Sequence, residues 1–151
     1  MQLSSSAFSS GAAIPRRFTC DGEDLSPAFD WKAAPATARS FVLLCDDPDA
    51  PADKWHHWAA YDIAGDETGL PEGAGHDGSA GFKQAINDFR RTGYGGPCPP
   101  RGHGQHRYHF RLLALSINHL TLHAKPSCSE VEREARKHVV AEATLVGIYQ
   151  R

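Results

Sequence analysis

The chain has 151 residues, and 16 Lys and Arg nearly balance 18 Asp and Glu for a formal net charge of -2. That balance leaves no basic field to neutralise phosphates along a duplex, which excludes a general nucleic-acid binder. A hydrophobic share of 40% with 23% charged residues excludes a disordered chain, and no apolar run is long enough to span a bilayer. No linker or repeat divides residues 1–151, so one domain with a sizeable core is expected. The opening MQLSSSAFSS has neither a basic nor an apolar segment of the signal-peptide kind, so a cytoplasmic location is expected. Cys20, Cys45, Cys98 and Cys128 form no C-x-x-C pair and are expected as four reduced thiols. The 14 Gly and 10 Pro announce many turns, and 9 His raise the question of imidazole chemistry.

In chain order, SFVLLCD at Ser40 to Asp46 reads as a buried strand, stopped by DDPDAP, whose prolines prevent continuation of a sheet. WHHWAAYDI at Trp55 to Ile63 alternates in the strand sense. Strict alternation puts Trp55, His57, Ala59, Tyr61 and Ile63 on one face, and His56, Trp58, Ala60 and Asp62 on the other. Gly- and Pro-rich loops are expected over Gly69 to Gly81 and Thr92 to Gly104. His106 to Ile117 is the longest strand, with His106, Tyr108, Phe110, Leu112 and Ala114 on its more apolar face. Ser127 and Glu130 have capping-box spacing and predict a helix start. Val131, Ala135, Val139 and Val146 then fall near one helical face, with Gly147 as the stop before a short extended Ile148-Tyr149. The class is mainly β with a late helix.

Three segments could carry chemistry. Asp46, Asp47 and Asp49 crowd one rigid turn and would repel one another without nearby donors or a cation. The adjacent His56 and His57 stand between tryptophans, so one of them is expected to line an aromatic-walled pocket. GGPCPPRGHGQHRY at Gly95 to Tyr108 joins a stiff Pro loop to a flexible GHG turn, then presents His106 and Tyr108 on one strand face. Gly-rich backbone there can also aim several N–H groups into one concavity.

In this order and spacing, DDPDAP, WHHW and GPCPPRGHGQHRYHF resemble the phosphatidylethanolamine-binding protein family, also called Raf kinase inhibitor-like proteins. SPAFDW at Ser26 to Trp31, NDF at Asn87 to Phe89 and the late GIYQR extend the likeness over nearly the whole chain, which looks most like the compact bacterial branch. The resemblance implies an antiparallel Greek-key β-sandwich with a small pocket at one end for anions such as phosphate or phosphorylethanolamine head groups. Carried over by motif, the ligand-binding residues are Asp47, Pro51, His57, His106 and Tyr108, with Pro97, Cys98 and Pro99 in the rim that runs to Pro100. Ala28 departs from a common second Pro, and Arg90-Arg91 follow Phe89 where a Gly is common. The likeness implies no cofactor. It brings a kinase or protease as a conceivable protein partner and a homodimer as a conceivable assembly.

Asp47 would repel a phosphate unless it favours a protonated His57 or His106, or accepts a bond from the ligand's own donor. Binding without turnover is therefore the main expectation. The rival is a metal-dependent hydrolase or oxygenase, because Asp47, His57 and His106 amount to a two-histidine, one-carboxylate ligand set. Arg107 points away from His106 and Tyr108, and is expected to be structural, paired with Asp49 or Asp46.

Overall fold

The computed structural model describes residues 1–78 and 81–151. Ser79 and Ala80, within the loop expected over Gly69 to Gly81, lie outside the described residues. In chain order the elements are β1 (Gln2–Ser4), a 3-10 turn (Arg16–Phe18), β2 (Phe29–Lys32), β3 (Ser40–Asp47), β4 (Trp55–Ala64), β5 (Gly69–Leu70), β6 (Lys83–Gln84), β7 (His106–Leu115), α1 (Cys128–Arg136) and β8 (Val139–Tyr149). A five-stranded sheet runs in the order β6-β4-β3-β7-β8 and a three-stranded sheet in the order β1-β2-β5. Every strand pair in both sheets is antiparallel.

The most apolar strand takes the central place. All eight residues of β3 are buried, because its two faces meet two different layers. On one face Phe41, Leu43, Phe110 and Leu112 pack against Phe29 and Trp31 of the small sheet, with Phe29 and Phe110 ring centroids 5.0 Å apart. On the other, Val42, Leu44, Leu113 and Leu115 meet Val131 and Ala135 of α1. The molecule is thus a β-sandwich with a helix laid on the outer face of the larger sheet. The face expected for His106 through Ala114 is the one turned to the small sheet.

The helix begins as its sequence directs. Glu130 N–H donates to the Ser127 hydroxyl at 3.2 Å, and the Glu130 carboxylate accepts the Ser127 N–H at 3.1 Å. Those bonds, with that N–H first in weight and His123 beside it, hold the Glu130 carboxyl down to about 2. The helix does not continue through Val139 and Val146 as its apolar spacing predicted. It ends at Arg136, and both valines lie on β8, which pairs with β7 from His106↔Tyr149 to Leu115↔Val139. Valine at 139, 140 and 146 with Ile148 favours extended backbone, and a ten-residue partner edge decides the matter. Gly147 sits within this strand opposite Tyr108 and is no helix stop.

The expectation of four reduced thiols is also overturned. Cys20 and Cys98 form a disulfide across a sequence separation of 78, so only Cys45 and Cys128 are free, and both are buried. Wide sequence spacing hid the pair, because the segment after the 3-10 turn folds back onto the Pro-rich loop. There the Cys20 N–H also donates to the Pro97 carbonyl at 3.1 Å. The cysteines therefore give no support to a reducing compartment.

Two stability predictions follow from these loops. Removing the bridge, by reductant or by Cys20→Ser, should lower the unfolding free energy by roughly 2–5 kcal/mol, since it closes a long loop; coincident thermal melts with and without reductant would contradict this. Arg90 holds a left-handed backbone with φ 64°, which costs a side-chain-bearing residue about 1 kcal/mol. Arg90→Gly should therefore raise stability by roughly 0.5–1 kcal/mol in urea titration, and a loss would show that the Arg90 side chain matters more than its backbone.

Candidate functional site

The site is built on a register fault. Cys45 of β3 pairs with Trp58, yet Asp46 pairs with His56, so His57 is an extra residue in β4. A bulge of this kind bends the strand and re-aims its side chains. His57 turns to the same face as Asp47 and Tyr108, while His56 turns to the opposite face with Asp46 and Glu132. A second fault lies between Phe41 and Leu43, where Asp62 takes φ 55°. It returns Ile63 to the core containing Trp58 and Ala60, leaving Ala59 and Tyr61 with α1. Strict alternation along Trp55 to Ile63 therefore fails twice.

The Asn87–Phe89 segment, whose role the sequence did not reveal, satisfies the backbone that the bulge exposes. Asp88 accepts the His56 N–H at 2.7 Å and returns its own N–H to the His56 carbonyl at 2.9 Å. Asn87 holds this loop through Gly93 O, at 2.8 Å from its side-chain amide. His57 is clamped to the rim loop on both sides. Its Nδ1–H donates to Gly95 O at 2.6 Å, and Gly95 N–H donates to His57 O at 3.0 Å.

The three crowded aspartates are reconciled by β7. Asp46 pairs with Arg111 at 2.5 Å, Asp47 accepts from His106 Nδ1 at 2.6 Å, and Asp49 takes a forked bond from Arg107 at 2.8 and 3.1 Å. The last is the structural pair expected for Arg107. Its guanidinium holds the Asp49 carboxyl down to about 2, so the turn keeps its charge at neutral pH.

Asp47, Pro51, His57, Cys98, Pro99, His106 and Tyr108 line one cavity of about 190 Å³, with Trp55, Phe89, Ala50 and Pro100 completing it. Seven of the eight residues expected there are thus brought together. Pro97 is not a lining residue; its carbonyl holds the disulfide loop. Cys98 contributes as half of a disulfide and not as a thiol. Phe89 was missed. Its ring stands edge-on to both Trp55 (5.4 Å) and His57 (5.3 Å). Larger clefts of about 360 and 510 Å³ exist on the small-sheet side, but neither gathers buried titratable groups.

Inside the cavity Asp47, His57, His106 and Tyr108 are all at most 3% exposed. Burial lowers the His57 pKa against the raising effect of the Gly95 carbonyl, so the neutral ring is favoured, with Nε2 as a bare acceptor. Burial first, and Asp47 second, push the Tyr108 phenol up. Its hydroxyl meets no partner at full hydrogen-bond geometry among the described residues, and the Asp47 carboxylate is the acceptor near enough to act on it. His106 spends both nitrogens, Nδ1 on Asp47 and Nε2 on His103 Nδ1 at 2.6 Å. His103 sits between Gly102 (φ 77°) and Gly104 (φ 87°), in a turn with open space beside both glycines.

Among the described residues, metal-ligating atoms converge within 4.8 Å at Asp46, His56 and Glu132, not at Asp47, His57 and His106. Arg111 already bridges the two carboxylates, at 2.5 Å from Asp46 and 2.8 Å from Glu132, and Lys54 lies 3.6 Å from Glu132. That group is an ion-pair network in which cationic side chains occupy the place of an ion.

Residues 4–150 match the family model described as phosphatidylethanolamine-binding protein. A UPF0098 protein of Aquifex aeolicus is 45% identical over 152 residues, covering all of this chain and 89% of its own. Escherichia coli YbcL, described as a member of the mammalian PEBP family, superposes with a TM-score of 0.94 at 29% identity, covering 99% of this chain and 98% of its own. A phosphatidylethanolamine-binding protein homolog from Chlamydia trachomatis, CT736, gives a TM-score of 0.87 at 33% identity, covering 99% and 97%. With the sandwich, the acidic turn and the His–His and His-x-Tyr strands all in place, the chain belongs to the phosphatidylethanolamine-binding protein family.

Proposed function

We propose that the cavity binds a small oxyanion, the phosphate group of a phosphorylethanolamine-like head group or of a phosphorylated side chain, and that binding takes up a proton. Family membership implies a ligand-binding or regulatory role. The observation that carries the finer reading is the buried Tyr108 hydroxyl, whose approach to Asp47 falls short of full hydrogen-bond geometry, in the same cavity as two imidazoles. A buried donor held that loosely leaves part of its hydrogen bond unmade, and a ligand oxygen would complete it. Neutral His57 offers a lone pair to the cavity, so it can donate to an anion only after protonation. An anion beside it raises the pKa that burial lowers, and the bound state then holds a proton the free state lacks. Affinity should rise as pH falls.

The same shift sets the sign for stability. The unfolded chain protonates His57 more readily than the ligand-free fold, so acidification through the imidazole range costs stability; a bound anion opposes that loss. Thermal shifts by sulfate, whose charge is constant over about pH 5 to 8, should therefore be larger at the acidic end and be lost in His57→Ala. Equal shifts across the range, or no dependence on His57, would refute the protonation account.

His103 supplies a second handle on the same chemistry. One proton lies between His103 Nδ1 and His106 Nε2, and while that bond stands His106 has no nitrogen left for a ligand. His103→Ala frees Nε2 as an acceptor, so affinity by calorimetry should rise several-fold, on the order of one hydrogen bond, for monoprotonated phosphate, whose own hydroxyl can donate to it, and not for sulfate. A fall would mean that His103 itself grips the ligand.

A further inference from the structure

A cleft of about 220 Å³ behind the rim loop is lined by Arg16, Arg101 and Arg151 with Asp21 and Tyr149. In a chain of net charge -2, three guanidinium groups around one carboxylate reflect placement rather than composition. That carboxylate is fully engaged. Asp21 accepts the Tyr149 hydroxyl at 2.6 Å on one oxygen and Arg151 at 3.2 Å on the other, and these partners, Tyr149 foremost, keep its pKa low. Two of the arginines are pre-set by backbone carbonyls. Arg16 Nε donates to Asp21 O at 2.8 Å, and Arg151 Nε to Pro99 O at 2.8 Å. Arg101 has no hydrogen bond or ion pair with any described residue, although its charge is felt at Asp21.

We propose that this cleft is an anion-binding site for a phosphate or diphosphate group, with the Arg16 and Arg101 forks as its ligating donors and Arg151 as its floor. Guanidinium forks match the paired oxygens of such groups, and those already held in place lose less freedom on binding. The like charges repel one another while the cleft is empty, and an oxyanion cancels that repulsion. The site does not depend on the function proposed for the His57 cavity, although Pro99 lines that cavity and its carbonyl anchors Arg151.

The test is a titration of the isotope-labelled chain with inorganic pyrophosphate at constant ionic strength, read on the arginine Nε–Hε resonances. Saturable shifts should appear at Arg16, Arg101 and Arg151. Arg101→Ala should weaken that binding about tenfold, as expected for the loss of one charge-assisted fork. Arg101 is exposed and unpaired, so this variant should keep the wild-type melting temperature. Arg16→Ala should weaken binding similarly, and His57→Ala should leave it unchanged. Shifts that fail to saturate, that chloride reproduces, or that Arg101→Ala does not alter would overturn the proposal.

Discussion

The one-residue mismatch between β3 and β4 at His57 is the constraint on which the functional end of this molecule depends. Without it, alternation would leave His57 on the α1 face and bring His56 to the inter-sheet face. With it, Asp47 and His57 share a cavity, while Asp46 and His56 share an ion-pair network on the other side of the same strands. Bonds from Asp88 and Gly95 make the fault tolerable, since the His56 N–H and the carbonyls of His56 and His57 find partners there.

The chemistry is confined to one end of the sheet because the rest of it is closed by packing. Phe41 through Leu44 and Leu112 through Leu115 leave no room for a polar group between the small sheet on one side and α1 on the other. Where β3 ends and β7 begins, the pattern changes. Asp46, Asp47 and Asp49 each meet a different cationic or hydrogen-donating partner from β7. Side chains of opposite tendency therefore pair across neighbouring strands, and the acidic turn is held without an ion.

Much of this was legible in the sequence. Three of the four long strands (β3, β4 and β7), the stop at the Asp-Pro turn, the capping box and the inward face of β7 all follow from local patterns that tertiary structure left intact. The motif resemblance then located seven of the cavity's residues. What could not be read were features set by distant partners. β8 carries apolar spacing compatible with either a helix or a strand, and the free edge of β7 selects the strand. The bulge inverts two histidines without any glycine or proline to announce it. The Cys20–Cys98 bridge joins segments far apart in sequence, and Phe89 acquires its role only because Asp88 docks its loop on the bulge.

The tryptophans divide along the same line as the chemistry. Trp31 and Trp58 are buried at 4% and 1% exposure, whereas Trp55 is 37% exposed and forms a wall of the cavity. A dissolved collisional quencher can reach only the third of these indoles. The protein thus carries its own optical reporter at the mouth of the site, against a background of two emitters shielded from solvent. Occupancy of the cavity becomes readable from intrinsic fluorescence, with no label attached and no residue changed.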